Sequence, residues 1–457
     1  MTAYNPAEAQ ATIDRVRRAL KSPSVVASRL DESAKGATAK TGWRDVDFGT
    51  LPEYNIINIT KAVGDITGIE NPFYHLHDGR ACETTSIDGR EVANFSSYDY
   101  LGLNGHPDVT AAAKAAIDRF GTSVSASRLA AGERPVHRDL EKALAWLHGT
   151  EDAVAFVSGH ATNVSVIGEL LGPEDLIVTD VAIHNSVTEG AKLSGAKRVL
   201  CPHGDLGAFE RALRLNRSRY RRALIVVEGL YSMDGDVPDL AQLIRLKRRY
   251  NAWLMVDEAH SIGVLGATGR GLAEEQGVDP TDVDIWMGTL SKTLAAAGGY
   301  IAGTRALVEL LKYTTPGFVY SVGMSPPVAA AATAAVEVMK QEPWRLEKLR
   351  QNGRTFVARA KARHLDVGSS IGASIIPIIV GNSPHAVMLS QRLLQRGYNV
   401  VPAIFPGVAE NQARLRFFMT SLHSVEQIEG VVDAVAEELP KILNGPSFVA
   451  AVAGNDR

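Results

Sequence analysis

The chain has 457 residues, 45% of them hydrophobic and 22% charged, with a net charge of −3. This is the balance of a globular protein with a substantial core, long enough for one large domain and a smaller one, and it excludes a strong global field for nucleic acid. Cys82 and Cys201 form no C-x-x-C pair, so neither a disulfide framework nor a zinc site is expected.

The polar segment 1–50 is expected to be an arm with one helix near 7–20. It shows no apolar signal-peptide core, and no run of about 18 apolar residues occurs, so no membrane span is predicted and a reducing cytoplasm is the expected compartment. From Tyr74 to Asn94 the chain reads as short strands broken at the turn dipeptides Asp78-Gly79 and Asp88-Gly89. Short apolar runs then recur: AVAFVSG (153–159), LIVTD (176–180), RVLCP (198–202), ALIVVEG (223–229), WLMVDEA (253–259), DIWMGTL (284–290) and GGYIAG (298–303). Their near-continuous apolar character predicts strands covered on both faces, and most are separated by segments of helical period. Such alternation predicts a mostly parallel sheet with helices on both sides and a ligand site at the carboxyl ends of the strands. From residue 328, helical and strand-like segments alternate again as a smaller α/β domain. The expected division is an arm with short strands (1–94), a large domain (95–327) and a small domain (328–457).

The polar residues that end the runs are the chemical candidates. Asp257, in VDEAH, closes a buried strand, where an acid is costly unless paired, and His260 follows three residues later. An Asp at that place serves equally as a carboxylate beside a pyridine nitrogen or as a helix cap. Lys292, in GTLSK, ends another buried run, where a desolvated lysine can lose its proton and form an imine; Thr289 and Ser291 offer hydroxyls for a phosphate. SGHATN (158–163) reads as a strand end, a glycine turn and a helix start, the elements of a phosphate cradle. His184, in DVAIHNS, either faces a flat ring or caps a helix. Arg414 and Arg416 lie two apart on an expected strand and so share a face; spacing alone does not say which reaches a carboxylate. No G-x-x-x-x-G-K-[ST] or G-x-S-x-G motif occurs, and GVLGATGRG (263–271) reads as a tight loop beside the site.

DVAIHNS, EGLYSMDGD, VDEAHSIGVLG-x-x-GRG and GTLSK, in this order, resemble the α-oxoamine synthases, from about Asn94 to about Leu443. The resemblance implies the fold-type I (aspartate-aminotransferase-like) architecture, with a mostly parallel seven-stranded sheet and a smaller C-terminal α/β domain. It also implies pyridoxal 5′-phosphate (PLP), a homodimer with sites at the subunit interface, and condensation of an amino acid (Ser, Gly or Ala) with an acyl thioester. Carried onto this sequence, Lys292 matches the Schiff-base lysine, Asp257 the partner of the pyridine nitrogen, His260 the histidine near the ring hydroxyl and His184 the one on the ring face. Ser232 falls near the ring substituents, Gly159, His160 and Thr289 near the phosphate, and Arg416 at the amino acid carboxylate. Three features depart from the family pattern. His160 stands where an aromatic residue is common, TSVSASR replaces the usual G-S-x-x-S-R, and YSVGMSPP is one residue longer than usual, with Ser321 the expected contact to the neighbouring subunit's phosphate. Tyr98 replaces the Asn of several members and resembles the serine palmitoyltransferase branch.

Within that branch, FVSGHATN, DVDIWMGTLSK and TPGFVYSVGMSPP are most similar to members that serve acyl-carrier proteins. The alternatives are an acyl-CoA-dependent serine palmitoyltransferase and a non-catalytic partner subunit; retention of Lys292 argues against the latter. RALRLNRSRYRR (211–222) carries six arginines and no acid, followed by Arg245, Lys247, Arg248 and Arg249. These residues form either a solvated face balanced by acids or a docking surface for an acidic carrier.

Overall fold

Continuous apolar runs make strands that a sheet buries on both sides, and all seven expected runs pair into one sheet. The computed structural model describes residues 47–445, so the helix expected near 7–20 lies outside them. In chain order the strands are β1 (His77–Asp78), β2 (Thr84–Ile87), β3 (Arg90–Asn94), β4 (Asp152–Phe156), β5 (Leu176–Asp180), β6 (Lys197–Cys201), β7 (Ala223–Glu228), β8 (Trp253–Asp257), β9 (Ile285–Thr289), β10 (Gly299–Gly303), β11 (Ile375–Gly381), β12 (Tyr398–Asn399), β13 (Pro402–Ala403) and β14 (Ala413–Phe418). The longer helices up to residue 250 are α1 (Pro52–Thr67), α2 (Pro107–Phe120), α3 (Pro135–His148), α4 (Gly159–Leu170), α5 (Asn185–Ser194), α6 (Leu206–Asn216) and α7 (Leu240–Tyr250). They are followed by α8 (Arg305–Thr314), α9 (Pro326–Gln341), α10 (Trp344–Ala362), α11 (Ser383–Gln395) and α12 (Val425–Leu443).

The main sheet has the order β4-β10-β9-β8-β7-β5-β6 and is parallel except for β10. The exception follows from connection length. Residues 290–298 between β9 and β10 are too few for a helical crossover, so the chain returns antiparallel, and Lys292 sits in this short link. Alternation along the strands divides the core: Ile225, Val227, Leu254 and Val256 pack on one face, and Leu224, Val226 and Met255 on the other. The expectation of burial on both faces fits β5, β7, β8 and β10 but not β6, an edge strand in which Lys197 and Leu200 are exposed.

Beyond residue 327, β11, β14 and β13 form a three-stranded sheet. The segment YNVVPAIF (398–405) divides between two sheets. Tyr398 and Asn399 pair parallel with β3, while Pro402 and Ala403 join β14. Pro402 has no N–H to continue a ladder, and the chain changes sheet there. The strands β1–β3 thereby complete a sheet with β12 from the carboxyl-terminal part.

One helix contact sets the later geometry. α4 and α5 cross closely at Gly190, where a Cβ would stand 2.8 Å from the carbonyl oxygen of Asn163. The crossing places Asn163 within hydrogen-bonding distance of Ser186, at 2.9 Å. Gly190→Ala gains about 1 kcal/mol of helix propensity but forces apart two packed backbones, a cost of about 1–3 kcal/mol. We expect a net loss of stability by urea unfolding, with Gly172→Ala, which meets nothing within 4 Å, as the matched control.

Candidate active site

The carboxyl ends of β4, β5, β7, β8 and β9 converge on a cavity of about 460 Å³. Gly159, His160, His184, Asp257, His260, Thr289 and Lys292 all line it. Asp257 ends β8, buried, and is held by two donors: the Asn163 side-chain amide at 2.9 Å and the Ala259 amide at 3.0 Å. The Asn163 amide also donates to Ser186 Oγ, which lies 2.7 Å from Nδ1 of His184. His184 caps α5 by accepting from the Ser186 amide, so it is both a cap and a cavity residue. A chain of polar side chains thus runs from Asp257 to His184.

Lys292 is half-buried, and desolvation of its amine lowers its pKa to about 8 against the pull of the Asp257 and Glu228 carboxylates. Roughly a tenth is the neutral, nucleophilic amine at pH 7, and about half at pH 8. Burial also lowers the pKa of His184, and that of His260 falls well below the usual value, with Lys292 and Arg416 adding to the effect. Tyr98 stands beside the lysine, its ring centroid 5.8 Å from Nζ, and packs edge-on against Phe418.

The amino end of α4 closes one side of the cavity. Ser158 caps it through the Ala161 amide. A Cβ on Gly159 would lie 2.7 Å from Thr289 Oγ1, so glycine is what lets the helix start approach this close. Thr289 Oγ1 lies 2.8 Å from Ser291 Oγ. A helix amino terminus with two hydroxyls beside it suits an anion. His160 reaches Asn185 Oδ1 at 3.3 Å.

The two arginines of β14, equivalent by spacing, differ in space. The guanidinium of Arg414 is buried, ion-paired with Asp234, and donates to the carbonyls of Gln412 and Met233. Arg416 donates one N–H to the Ser232 carbonyl at 2.9 Å, while its Nε is buried without a partner. Arg416 therefore keeps donor capacity that Arg414 has spent on structure. Ser232 holds the arginine through its carbonyl, gives its amide to Glu228, and does not itself line the cavity. Ser321 does not line the cavity either; its hydroxyl turns back to the Val322 carbonyl.

Several residues here were given no role from sequence. Asn163 and Ser186 link Asp257 to His184, and Tyr100 lies 2.6 Å from His260. Glu228 ends β7 in register with Asp257 and lines the cavity. Its Oε1 has no partner, and burial, with Asp257 adding, raises its pKa to about 8. An acid closing a continuous apolar run was the signal used for Asp257, and ALIVVEG carries it too. Because Glu228 binds its proton more tightly folded (about 8) than unfolded, stability falls as pH rises from about 4.5 through 8. Glu228→Gln, which keeps an acceptor for the Ser232 amide, is expected to remove most of that loss, on the order of 3–5 kcal/mol. Urea unfolding of cofactor-free protein at pH 5 and pH 8.5 measures it; equal pH slopes for both proteins contradict the assignment.

The chain matches known proteins over most of its length. Residues 90–435 match the family aminotransferase class I and II. A putative 8-amino-7-oxononanoate synthase of Desulforudis audaxviator is 41% identical over 354 residues, 77% of this chain and 91% of the relative. The 8-amino-7-oxononanoate synthase of Symbiobacterium thermophilum is 39% identical over 351 residues, 77% and 89% of the two chains. The structure of Sphingomonas wittichii serine palmitoyltransferase superposes with a TM-score of 0.82 at 29% identity, covering 88% of this chain and 100% of that one. The chain belongs to the aminotransferase class I and II family and, within it, to the α-oxoamine synthases.

Proposed function

We propose that this chain is a PLP-dependent α-oxoamine synthase that condenses a small amino acid (serine, glycine or alanine) with an acyl thioester. In the overall reaction the bond from Cα to the carboxylate breaks and CO₂ leaves. A bond from Cα to the acyl carbon forms, and the C–S bond breaks to release the thiol. One observation carries the reading: Lys292, its pKa lowered to about 8, shares a cavity with Asp257, His184 and the amino end of α4.

The residues present fit PLP. Gly159, His160, Thr289 and Ser291 would take the phosphate, Asp257 the pyridine nitrogen, His184 the ring face and His260 the ring hydroxyl, with Ser232 near the ring substituents. When bound, the cofactor supplies an electron sink for the charge left at Cα. The protein's own part is positional. Lys292 anchors the group and, as a free amine, carries a proton to or from Cα. Arg416 holds the substrate carboxylate, and Tyr98 walls the substrate side beside Lys292. Asn163, held by Ser186, keeps the Asp257 side chain in place.

A homodimer gives Ser321 its role, at the neighbouring subunit's phosphate. The division we propose keeps 95–327 as the large domain and 328–457 as the small one, with the β1–β3 sheet of residues 1–94 shared with β12. No helix among the described residues is long and apolar enough to cross a membrane; we propose a cytoplasmic enzyme.

The acyl donor is CoA or an acyl-carrier protein, and the basic segment 211–222 does not favour the carrier. Arg217 caps the carbonyls of Tyr250 and Asn251, Arg221 pairs with Asp175, and Arg222 donates to the Leu170 carbonyl and stacks on Trp253. Arg248 and Arg249 pair with Asp282 and Glu210. Arg217–Arg222 also immediately precedes β7, at the amino edge of the sheet, about 20 Å of strand away from the cavity. Much of the charge is balanced or used structurally, on the edge away from the site.

Two experiments test the reading. The protein purified with PLP is expected to be yellow, to change spectrum on addition of the correct small amino acid, and to release CO₂ only when an acyl thioester is added. Lys292→Ala loses colour and turnover while keeping its fold. Side-by-side assay of acyl-CoA and carrier thioesters identifies the donor. A colourless, inactive wild type supplied with PLP favours the non-catalytic alternative. In the second experiment, Arg416→Ala weakens amino acid binding by about 2–4 kcal/mol with little loss of melting temperature. Arg414→Ala mainly destabilises, by about 1–3 kcal/mol, because the partly exposed Asp234 and the Met233 carbonyl lose their donor. Reversed effects in the spectral titration and thermal melt contradict the carboxylate assignment.

A further inference from the structure

Tyr100 is fully buried, and its hydroxyl lies 2.6 Å from Nδ1 of His260, itself buried. Main-chain bonds fix the tyrosine: its amide donates to the Tyr98 carbonyl, and its own carbonyl accepts from Ser421. Asp99 holds the following turn by accepting from the amides of Leu103 and Asn104. A phenol brought this rigidly to a histidine ring governs which ring nitrogen carries hydrogen.

We assign the phenol as donor and Nδ1 as acceptor: the 2.6 Å contact is shorter than the usual span of an N–H donor to oxygen, about 2.7–3.2 Å. The neighbourhood agrees. Ser374 is a further polar neighbour of the phenol, and its buried Oγ has no hydrogen-bond partner. It can donate to the phenol oxygen and leave the phenol proton for His260, a chain in which each bond strengthens the next. Burial, with Lys292 and Arg416 adding, keeps His260 neutral, so the ring has one N–H to place. With Nδ1 accepting, that hydrogen is on Nε2. His260 lines the Lys292 cavity, and among the described residues its Nε2 has no hydrogen-bond partner.

We propose that Tyr100 is a positioning residue that fixes His260 as the Nε2–H tautomer and presents that N–H to the Lys292 cavity as a donor for an anionic ring oxygen. The ligand side of this statement rests on the function proposed above; the tautomer does not. An N–H held at that place favours the ionised form of the oxygen it meets, whereas a bare ring nitrogen there would favour the protonated form.

The test reads the tautomer directly, on protein freed of cofactor. Protein labelled with ¹⁵N-histidine is examined by long-range ¹H–¹⁵N correlation, with the His260 signals identified by their loss in His260→Gln. The wild type is expected to show a protonated Nε2 and an unprotonated, hydrogen-bond-accepting Nδ1. Tyr100→Phe is expected to give a mixture of tautomers, and Ser374→Ala a smaller change in the same direction. With PLP added, Tyr100→Phe should raise the PLP dissociation constant about tenfold and shift the pH of the cofactor's spectral transition upward. An Nδ1–H tautomer in the wild type overturns the proposal, and that measurement needs no variant to fold. An unchanged tautomer in a folded Tyr100→Phe protein overturns it as well. Failure of the wild type to bind PLP would refute the functional reading and leave the tautomer measurement standing.

Discussion

Asp257 closes a strand buried on both faces, and the architecture of the cavity answers that one charge. An isolated carboxylate in such a place would take up a proton. Here two N–H donors and the lysine opposite hold it, and the same arrangement shapes its neighbours. Glu228, one strand over and in register, is buried, and burial, with the neighbouring Asp257 adding, raises its pKa to about 8. Lys292, half-buried and desolvated beside both acids, loses its proton at about pH 8.

The loops that bring other residues to this point are tied together from outside the cavity. His203, after β6, has its two ring nitrogens 3.0 and 2.9 Å from Asp180 and Asp236, one at the end of β5 and one in the loop after β7. The bonds to these two carboxylates raise its pKa to about 10, so it is an imidazolium at neutral pH and a fixed cation. The first loop carries His184 and the second carries Ser232, whose carbonyl holds Arg416. Three crossover loops are thereby stapled at one edge of the sheet, while Arg414 pins the same loop to β14 through Asp234. Arg416 is aimed by contacts that never enter the cavity.

Much of this was legible in the residue order. Runs such as LIVTD and WLMVDEA are too continuously apolar for a half-exposed sheet, and their alternation with helical segments leaves a doubly covered parallel sheet as the consistent architecture. The reversal of β10 also has a cause visible in the sequence, the short link from Leu290 to Gly298. Its direction was nonetheless missed, because the run GGYIAG by itself carries no mark of orientation. The break at Pro402 had its signal in the proline.

The sequence by itself determined the strands, the chemical residues at their ends and the family to which their order belongs, because hydrophobic period and residue type act locally along the chain. Only the tertiary structure decided which of two arginines on one strand face is free, since that depends on Asp234, 180 residues away in sequence. It likewise decided that Asp257 rests on Asn163, that burial raises the pKa of Glu228 to about 8, and that the Tyr100 phenol meets His260. Protonation and hydrogen-bond direction depend on burial and on distances of a few ångströms between residues up to about 160 apart in the chain. No pattern along the sequence encodes those distances; the fold that brings the strand ends together produces them.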